Sequence, residues 1–463
     1  MPRDGCPNVT HASHGPTRRT FVAAATAAVI APCMGGQSLP AAAPLPMSGP
    51  LADFVRRPDP ATRFELVGFG ESCSGEWLTG RLTSQSWKGV EWVHELSLYR
   101  PTDSQNRGPM LLWIDGGTSG GIPEQGQWEP TDAIRTLSRV AIAAGMPAAV
   151  VRQVPFQPMF DGLVEDALIA HSFVEFARTG DPTWPLLLPM AKTVIEAMNA
   201  AEKVAGNRWG LSVDGFVTTG ASKRGWTTWL SAAVDGRIMG LVPAVIDMLS
   251  MEKHVGLQRQ SFGGMSDKLE DYTARGIERL LGTPRGRELV GIVDPIAYRE
   301  RLVQPKVIAL GTNDPYWPLE ACNLYYDKLE GPRWVSYTPN AGHGLPAERL
   351  GGLVAAMGRH IAGLEDLPNV EWSIEADGGA KICRAACPDA EIEKATAWMA
   401  TAPSRDFRKA VWQPLPAERD GEGWRLAVSK PADGFAAGLI ELHMSRKPMP
   451  LILTSGVGVI GTS

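Results

Sequence analysis

The sequence predicts an α/β fold, a mostly parallel sheet with helices on both faces, followed by a small β-sandwich. Three observations carry that expectation. From about Glu65 to Leu364, short apolar runs alternate with amphipathic stretches of helical length, the pattern of strands buried on both faces by crossover helices. From Pro368 onward helical periodicity fades, and short strand-like runs sit between turn clusters, as in a two-sheet β domain. The 463 residues include 50 Gly and 37 Pro, too many turn-formers for coiled coils or helical repeats.

Residues 1–43 read as an export signal rather than as part of the fold. Thr17-Arg18-Arg19-Thr20-Phe21 precedes an alanine-rich apolar run from Val22 to Ala31 and the small residues Ala41–Ala43. The paired arginines match a twin-arginine signal, and the run is too short to span a bilayer. The expected location is therefore exported, periplasmic or secreted. A net charge of −5, from 45 basic and 50 acidic residues, gives no sign of a nucleic-acid partner. Beyond the signal lie Cys73, Cys322, Cys383 and Cys387. Cys383 and Cys387 are either a local disulfide or two free thiols. No Cys or His sits at zinc spacing beside them.

In order, the expected strands are Met110–Ile114, Ala148–Val151, Gly215–Thr218, Leu241–Ile246, Val307–Leu310 and Trp334–Tyr337. Helices are expected over Thr131–Ala144, Asp161–Ala177 and Trp226–Ala233. These place an α/β domain over 44–364 and a β-sandwich of the fibronectin III or immunoglobulin kind over 365–463. The later strands are Val370–Ile374, Ala395–Met399, Trp424–Val428, Gly438–His443 and Pro450–Leu453. Ligands of parallel sheets gather at the carboxyl ends of the strands, so the residue after each strand carries the functional reading.

Gly220-Ala221-Ser222-Lys223-Arg224-Gly225 follows one strand and precedes a helix. A serine on such a turn is held exposed at the top of the sheet, where the next N–H, that of Lys223, faces a developing oxyanion. The usual second small residue is displaced: Arg224 stands there and Gly225 comes one later. The plain alternative is a glycine-rich turn. A serine nucleophile needs a base, and the base an orienting acid. Asp314 lies just past the strand Val307–Leu310, and His343 lies between Gly342 and Gly344 after the next strand. The order serine, acid, histidine fits this arrangement. Asp247, at the end of the strand after the serine, is the rival acid. Among other histidines, His94 and His171 precede the serine, His254 is in a polar insertion, His360 in a late helix and His443 in the β-domain. Gly116 and Gly117, after the first of these strands, are candidates for the second oxyanion donor. Trp226, Tyr316 and Trp317 are candidate substrate-lining aromatics, with Trp128 and Trp229 nearby in the pattern. Arg405, Asp406 and Arg408 read as a solvated charged face or a domain-interface ion pair, with contact to a partner as the alternative.

The chain resembles the PhoPQ-activated pathogenicity-related family, a branch of the α/β-hydrolases. The resemblance rests on Glu165-Asp166-Ala167, Trp184-Pro185 with Leu188-Pro189-Met190, and the run Thr219–Trp229. It extends through Val242–Asp247, Gly311–Trp317, Asn340–His343, Trp398 and Ser404–Arg408. It implies an α/β-hydrolase fold with a C-terminal β-domain, and secretion or residence in the cell envelope. It makes the displaced Gly225 a family trait. Glucuronoyl esterases are similar in having a basic residue directly after the serine, which implies a part for the Lys223 side chain at the oxyanion. The expected function is an exported serine hydrolase acting on a small-molecule or peptide ester or amide, with no metal or organic cofactor and no stable membrane span. The alternatives are a catalytically silent secreted binding or signalling protein, and an envelope-interaction protein that docks through its β-domain.

Overall fold

A computed structural model describes residues 48–121 and 132–462. The expected export signal over 1–43 and Trp128 lie outside the described residues. Helix α1 (Pro50–Arg56) leads into a meander of long strands, β1 (Arg63–Ser72), β2 (Gly75–Trp87) and β3 (Val90–Pro101). Then come β4 (Arg107–Ile114), α2 (Asp132–Ala144), β5 (Ala148–Val151), α3 (Glu165–Thr179), α4 (Leu187–Trp209), β6 (Ser212–Ala221), α5 (Lys223–Val234) and β7 (Ile238–Ala244). An insertion of short helices follows: α6 (Met251–Phe262), α7 (Glu270–Thr273), α8 (Ile277–Leu281) and α9 (Pro284–Val293). The chain returns to the sheet with β8 (Lys306–Gly311), β9 (Arg333–Thr338) and α10 (Ala347–Ile361).

The strand order is β1-β2-β3-β5-β4-β6-β7-β8-β9. From β5 to β9 all neighbours are parallel, while β1, β2, β3 and β5 pair antiparallel. The central residues of the parallel strands are apolar, such as Phe216 and Val217 in β6 and Val307 and Ile308 in β8, all fully buried. That is the composition demanded of a sheet covered on both faces. The six expected strands all fall within strands of this sheet or, for Leu241–Ile246, run two residues past β7. Helix α4, 23 residues long, buries Leu187, Met190, Val194 and Met198 and stops at Gly210, which takes the left-handed conformation with φ of 65°.

The segment beyond 364 supplies β10 (Glu371–Asp377), β11 (Ala380–Ala386), β12 (Lys394–Ala402), β13 (Gln413–Pro416), β14 (Glu418–Asp420), β15 (Gly423–Ser429), β16 (Phe435–Met444), β17 (Leu451–Thr454) and β18 (Gly458–Gly461). Four of these form a separate sheet, β10-β11-β15-β14. The others do not close a second body of their own. β17 pairs with β9 through Thr454 and Val335, so β17, β16, β12 and β13 continue the central sheet. The four-stranded sheet lies against β16 and β18. An edge strand with unpaired N–H and C=O groups recruits another strand, and β9 is finished in this way. The described residues accordingly pack as one compact unit, where the sequence led us to expect a separate sandwich.

Cys383 and Cys387 are free thiols, as are Cys73 and Cys322. Cys383 is inside β11 and Cys387 is one residue past its end. Four residues of extended chain span about 13 Å, well beyond the reach of a disulfide.

Candidate active site

Ser222 sits between β6 and α5 with φ of 59° and ψ of −128°, a conformation that costs a non-glycine residue strain and is seen at functional turns. Its N–H donates to the carbonyl of Ala244 at the end of β7 (2.8 Å), and its own carbonyl accepts from Trp226 N–H (3.0 Å). The serine is thereby fixed at the positive end of α5. The displaced glycine has a steric cause. A Cβ on Gly225 would lie 2.8 Å from Ile246 Cγ2 and 2.9 Å from the Gly220 carbonyl, so closest approach to β7 falls at 225. Position 224 needs no small residue, because the Arg224 side chain leaves the turn toward α3, where it grips both oxygens of Glu165 (2.8 and 2.6 Å).

His343 Nε2 is 2.8 Å from Ser222 Oγ. His343 Nδ1 lies 2.8 Å and 3.0 Å from the two oxygens of Asp314. Asp314 is further fixed by Tyr316 N–H (2.9 Å), and the Tyr316 ring lies against the imidazole, tilted by 35° with centroids 4.2 Å apart. A Cβ on Gly311, the last residue of β8, would fall 2.2 Å from the Gly342 carbonyl. Only glycine there lets the histidine loop settle beside the acid. The rival acid is placed elsewhere. Asp247 accepts from Tyr325 Oη (2.7 Å) and Cys322 N–H (3.1 Å), and burial pushes its carboxyl up to about 8.

Lys223 follows the serine, and its side chain is only 8% exposed. Its ammonium is held by Glu165 (2.8 Å) and Asp166 (3.3 Å), so two carboxylates already meet the charge expected at an oxyanion. Burial opposes ionisation of Glu165, but Arg224 and Lys223 outweigh it and hold the carboxyl at about 2. Gln157 completes the cluster: its Oε1 accepts from Glu165 N–H (2.8 Å) and its Nε2 donates to the Gly117 carbonyl (3.0 Å). Gly116 and Gly117 follow β4, whose Ile114 is in register with Gly220 of β6. A Cβ on Gly116 would lie 2.8 Å from Arg224 Nη2. The glycine loop is thus beside the serine turn, its carbonyls held by Gln153 N–H (3.0 Å) and Gln157.

Beside Ser222 opens a largely apolar pocket with about 760 Å³ of empty space, its mouth included. Trp226, Tyr316 and Trp317 all line it. Most of the remaining wall comes from the insertion between β7 and β8, through Met251, Val255, Met265, Leu269, Ile277 and Leu281. His254, expected in a polar insertion, is instead buried in this wall. Trp229 is fully buried core.

Residues that sequence reasoning passed over hold these loops. Gln153, Ser222, Val245 and Asn340 follow the ends of β5, β6, β7 and β9, and each has positive φ, so strain gathers at one edge of the sheet. Asn313, next to Asp314, donates from Nδ2 to the carbonyls of Phe407 (3.1 Å) and Ala410 (2.7 Å). Asn340 exchanges two bonds with the Trp412 backbone (3.0 and 2.8 Å). Arg405 pairs with Glu320, and Arg408 pairs with Asp267 at 2.8 Å. The 404–412 segment is therefore bound to the loops that carry the acid and the histidine.

A mixed sheet with one strand exchange, a serine on a strained turn after β6, a carboxylate after β8 and a histidine after β9 defines the α/β-hydrolase fold. The chain belongs to the PhoPQ-activated pathogenicity-related protein family, whose sequence profile matches residues 51–408. It is 29% identical over 432 residues to autocrine proliferation repressor protein A of Dictyostelium discoideum, covering 85% of each chain. Among solved structures it is similar to acetyl xylan esterase 1 of a Thermoanaerobacterium species, at 15% identity and a TM-score of 0.46, covering 68% of this chain and 95% of that one. An acetyl xylan esterase of a Paenibacillus species gives 14% identity and a TM-score of 0.42, covering 64% of this chain and 88% of that one.

Proposed function

We propose that the chain is an exported serine hydrolase that cleaves an ester or amide through an acyl-enzyme. His343 Nε2 takes the proton of Ser222 as Oγ attacks the carbonyl carbon, and passes it to the leaving group as the acyl bond breaks. Asp314 holds the histidine tautomer and supports the imidazolium. The N–H of Lys223 and those of the Gly116–Gly117 loop face the tetrahedral oxyanion. Water, deprotonated by the same histidine, then releases the acid. The observation that carries this reading is the 2.8 Å contact between His343 Nε2 and Ser222 Oγ at a strained turn, with a carboxylate 2.8 Å from the other ring nitrogen. A fluorophosphonate probe tests it. Labelling of the folded protein that vanishes in Ser222→Ala is the expected result, and unlabelled folded protein refutes it.

The name of the Dictyostelium relative favours a second reading, a secreted signal on the same scaffold. Folded protein that stays unlabelled yet alters growth of the producing cells would support that reading over the first.

A further inference from the structure

We infer that β1 is the joint of a homodimer: two copies of the chain pair antiparallel along this edge strand, with Leu66 of each copy opposite Phe69 of the other.

Strand β1 stands at one end of the central sheet and pairs with β2 alone among the described strands. Its free side offers a row of backbone N–H and C=O groups to a further strand, and its residues are exposed or half-buried from end to end. The pairing with β2 tells which side chains share a face. Phe64, Leu66 and Phe69 lie opposite Leu82, Gly80 and Leu78, positions of β2 that alternate by two and so point the same way. In a regular strand Leu66 and Phe69 would point to opposite faces. The bulge between Leu66 and Gly68 turns Phe69 back to the face of Leu66. Bulges commonly blunt an edge, whereas this one gathers apolar side chains on it: Leu66 is 46% and Phe69 59% exposed. Arg63 and Glu65 take the other face, opposite Thr83 and Arg81, and Arg63 is paired there with Glu65 (3.4 Å) and Glu91 (3.0 Å).

Register and charge both favour a second copy as the occupant. A two-fold axis between Val67 and Gly68 sets Leu66 opposite Phe69, Phe64 opposite Glu71 and Glu65 opposite Gly70, so each of these pairs shares a face. A slip of one residue would set the apolar face against the charged one. In the matched register the Leu66–Phe69 pair occurs twice and no like charges stand opposite. Helix α4 supplies the wall of the same groove, with Lys203 and Arg208 beside Phe64, Leu66 and Phe69. The Arg208 guanidinium lies 4.8 Å from the centre of the Phe69 ring. Lys203, Arg208 and Glu71 have no ion pair among the described residues. Glu71 lies opposite Glu76 of β2 and therefore on the apolar face, so pairing brings each Glu71 to the cationic groove of the other copy.

Sedimentation equilibrium of the full chain tests the joint. A dimer is expected at about 100 μM, since interfaces of standard size hold at micromolar concentration or below. Phe69→Lys is expected to raise the dissociation constant by more than about tenfold, whereas Ile142→Lys, at an exposed apolar position on α2, leaves it unchanged. Both replaced side chains are on the surface, and circular dichroism checks that the variants fold. Wild type that is monomeric at about 100 μM, a dimer unmoved by Phe69→Lys, or an equal loss in Ile142→Lys overturns the inference. Oxidative crosslinking reads the register, in a Cys73→Ser background that removes the exposed thiol just past the strand. A mixture of Leu66→Cys and Phe69→Cys is expected to form a disulfide-linked dimer. Leu66→Cys alone is not, because its two cysteines would stand roughly 10 Å apart along the strands. Crosslinking of Leu66→Cys alone, or none in the mixture, overturns the pairing.

Discussion

Replacing Glu165 with glutamine removes one charge from the cluster that braces the serine turn. The carboxylate meets Arg224 through two contacts (2.8 and 2.6 Å) and Lys223 through a third (2.8 Å). A carboxyl that falls from 4.5 to about 2 on folding gains about 3 kcal/mol in its charged form. The side chain is 36% exposed, so solvent screening reduces this to about 1–2 kcal/mol. The folded-state pKa is depressed, so the contribution is complete above about 4.5 and is lost as pH falls toward about 2. Glutamine does not titrate. Urea unfolding of the two proteins is therefore expected to differ by about 1–2 kcal/mol at pH 7, with the gap more than halved by about pH 3. A gap that is absent at pH 7, or that stays constant down to about pH 3, refutes the argument that the ion pairs, rather than shape alone, hold the turn.

Asp314→Asn is expected to lower kcat by about 10³–10⁴-fold by losing the tautomer control that the 2.8 Å contact supplies. Asp247→Asn, at a carboxyl already held neutral near pH 7, is expected to change kcat less than about tenfold, and reversed effects in the same ester assay would exchange the two roles. Because the folded pKa of Asp247 is raised, its cost to stability grows as pH climbs from 3.8 toward about 8, so Asp247→Asn is expected to gain stability relative to wild type over that range in urea titrations. Asn340→Ala gives up both bonds to Trp412 and leaves alanine at φ of 59°. A loss of about 2–3 kcal/mol in urea unfolding is expected, together with a fall in kcat, since the same loop carries His343.

The parts legible in the sequence are those governed by local pattern. Buried parallel strands announce themselves as apolar runs, and a serine on the tight turn between such a strand and a helix stands where a nucleophile is held. The order of Ser222, Asp314 and His343 then narrows the partners, because each follows a strand whose end lies at the same edge of the sheet. The meander β1–β3 and the long helix α4 leave no such pattern. The strands of the meander mix polar with apolar side chains, and α4 is buried on so many sides that it shows no clean amphipathic stripe. The pairing of Cys383 and Cys387 was open in sequence because spacing says nothing about chain direction, and the strand β11 decided it.

What local pattern cannot carry is the joining of distant segments. The strands after residue 364 have the spacing of a separate sandwich, and nothing in their sequence marks β17 as the partner of β9. That pairing has a consequence for the site. With β17 laid on β9 and the 404–412 segment bound to Asn313 and Asn340, the loops of Asp314 and His343 are clamped from outside the α/β core. A hydrolase whose acid and base loops were fixed by the core alone would tolerate loss of that clamp. This chain puts an asparagine beside its acid and another three residues before its histidine, both spent on main-chain atoms of the C-terminal segment. The β-region therefore helps to hold Asp314 and His343 in register with Ser222, and under the proposed hydrolase reading a variant that loosens it is expected to lower turnover before it exposes the central sheet.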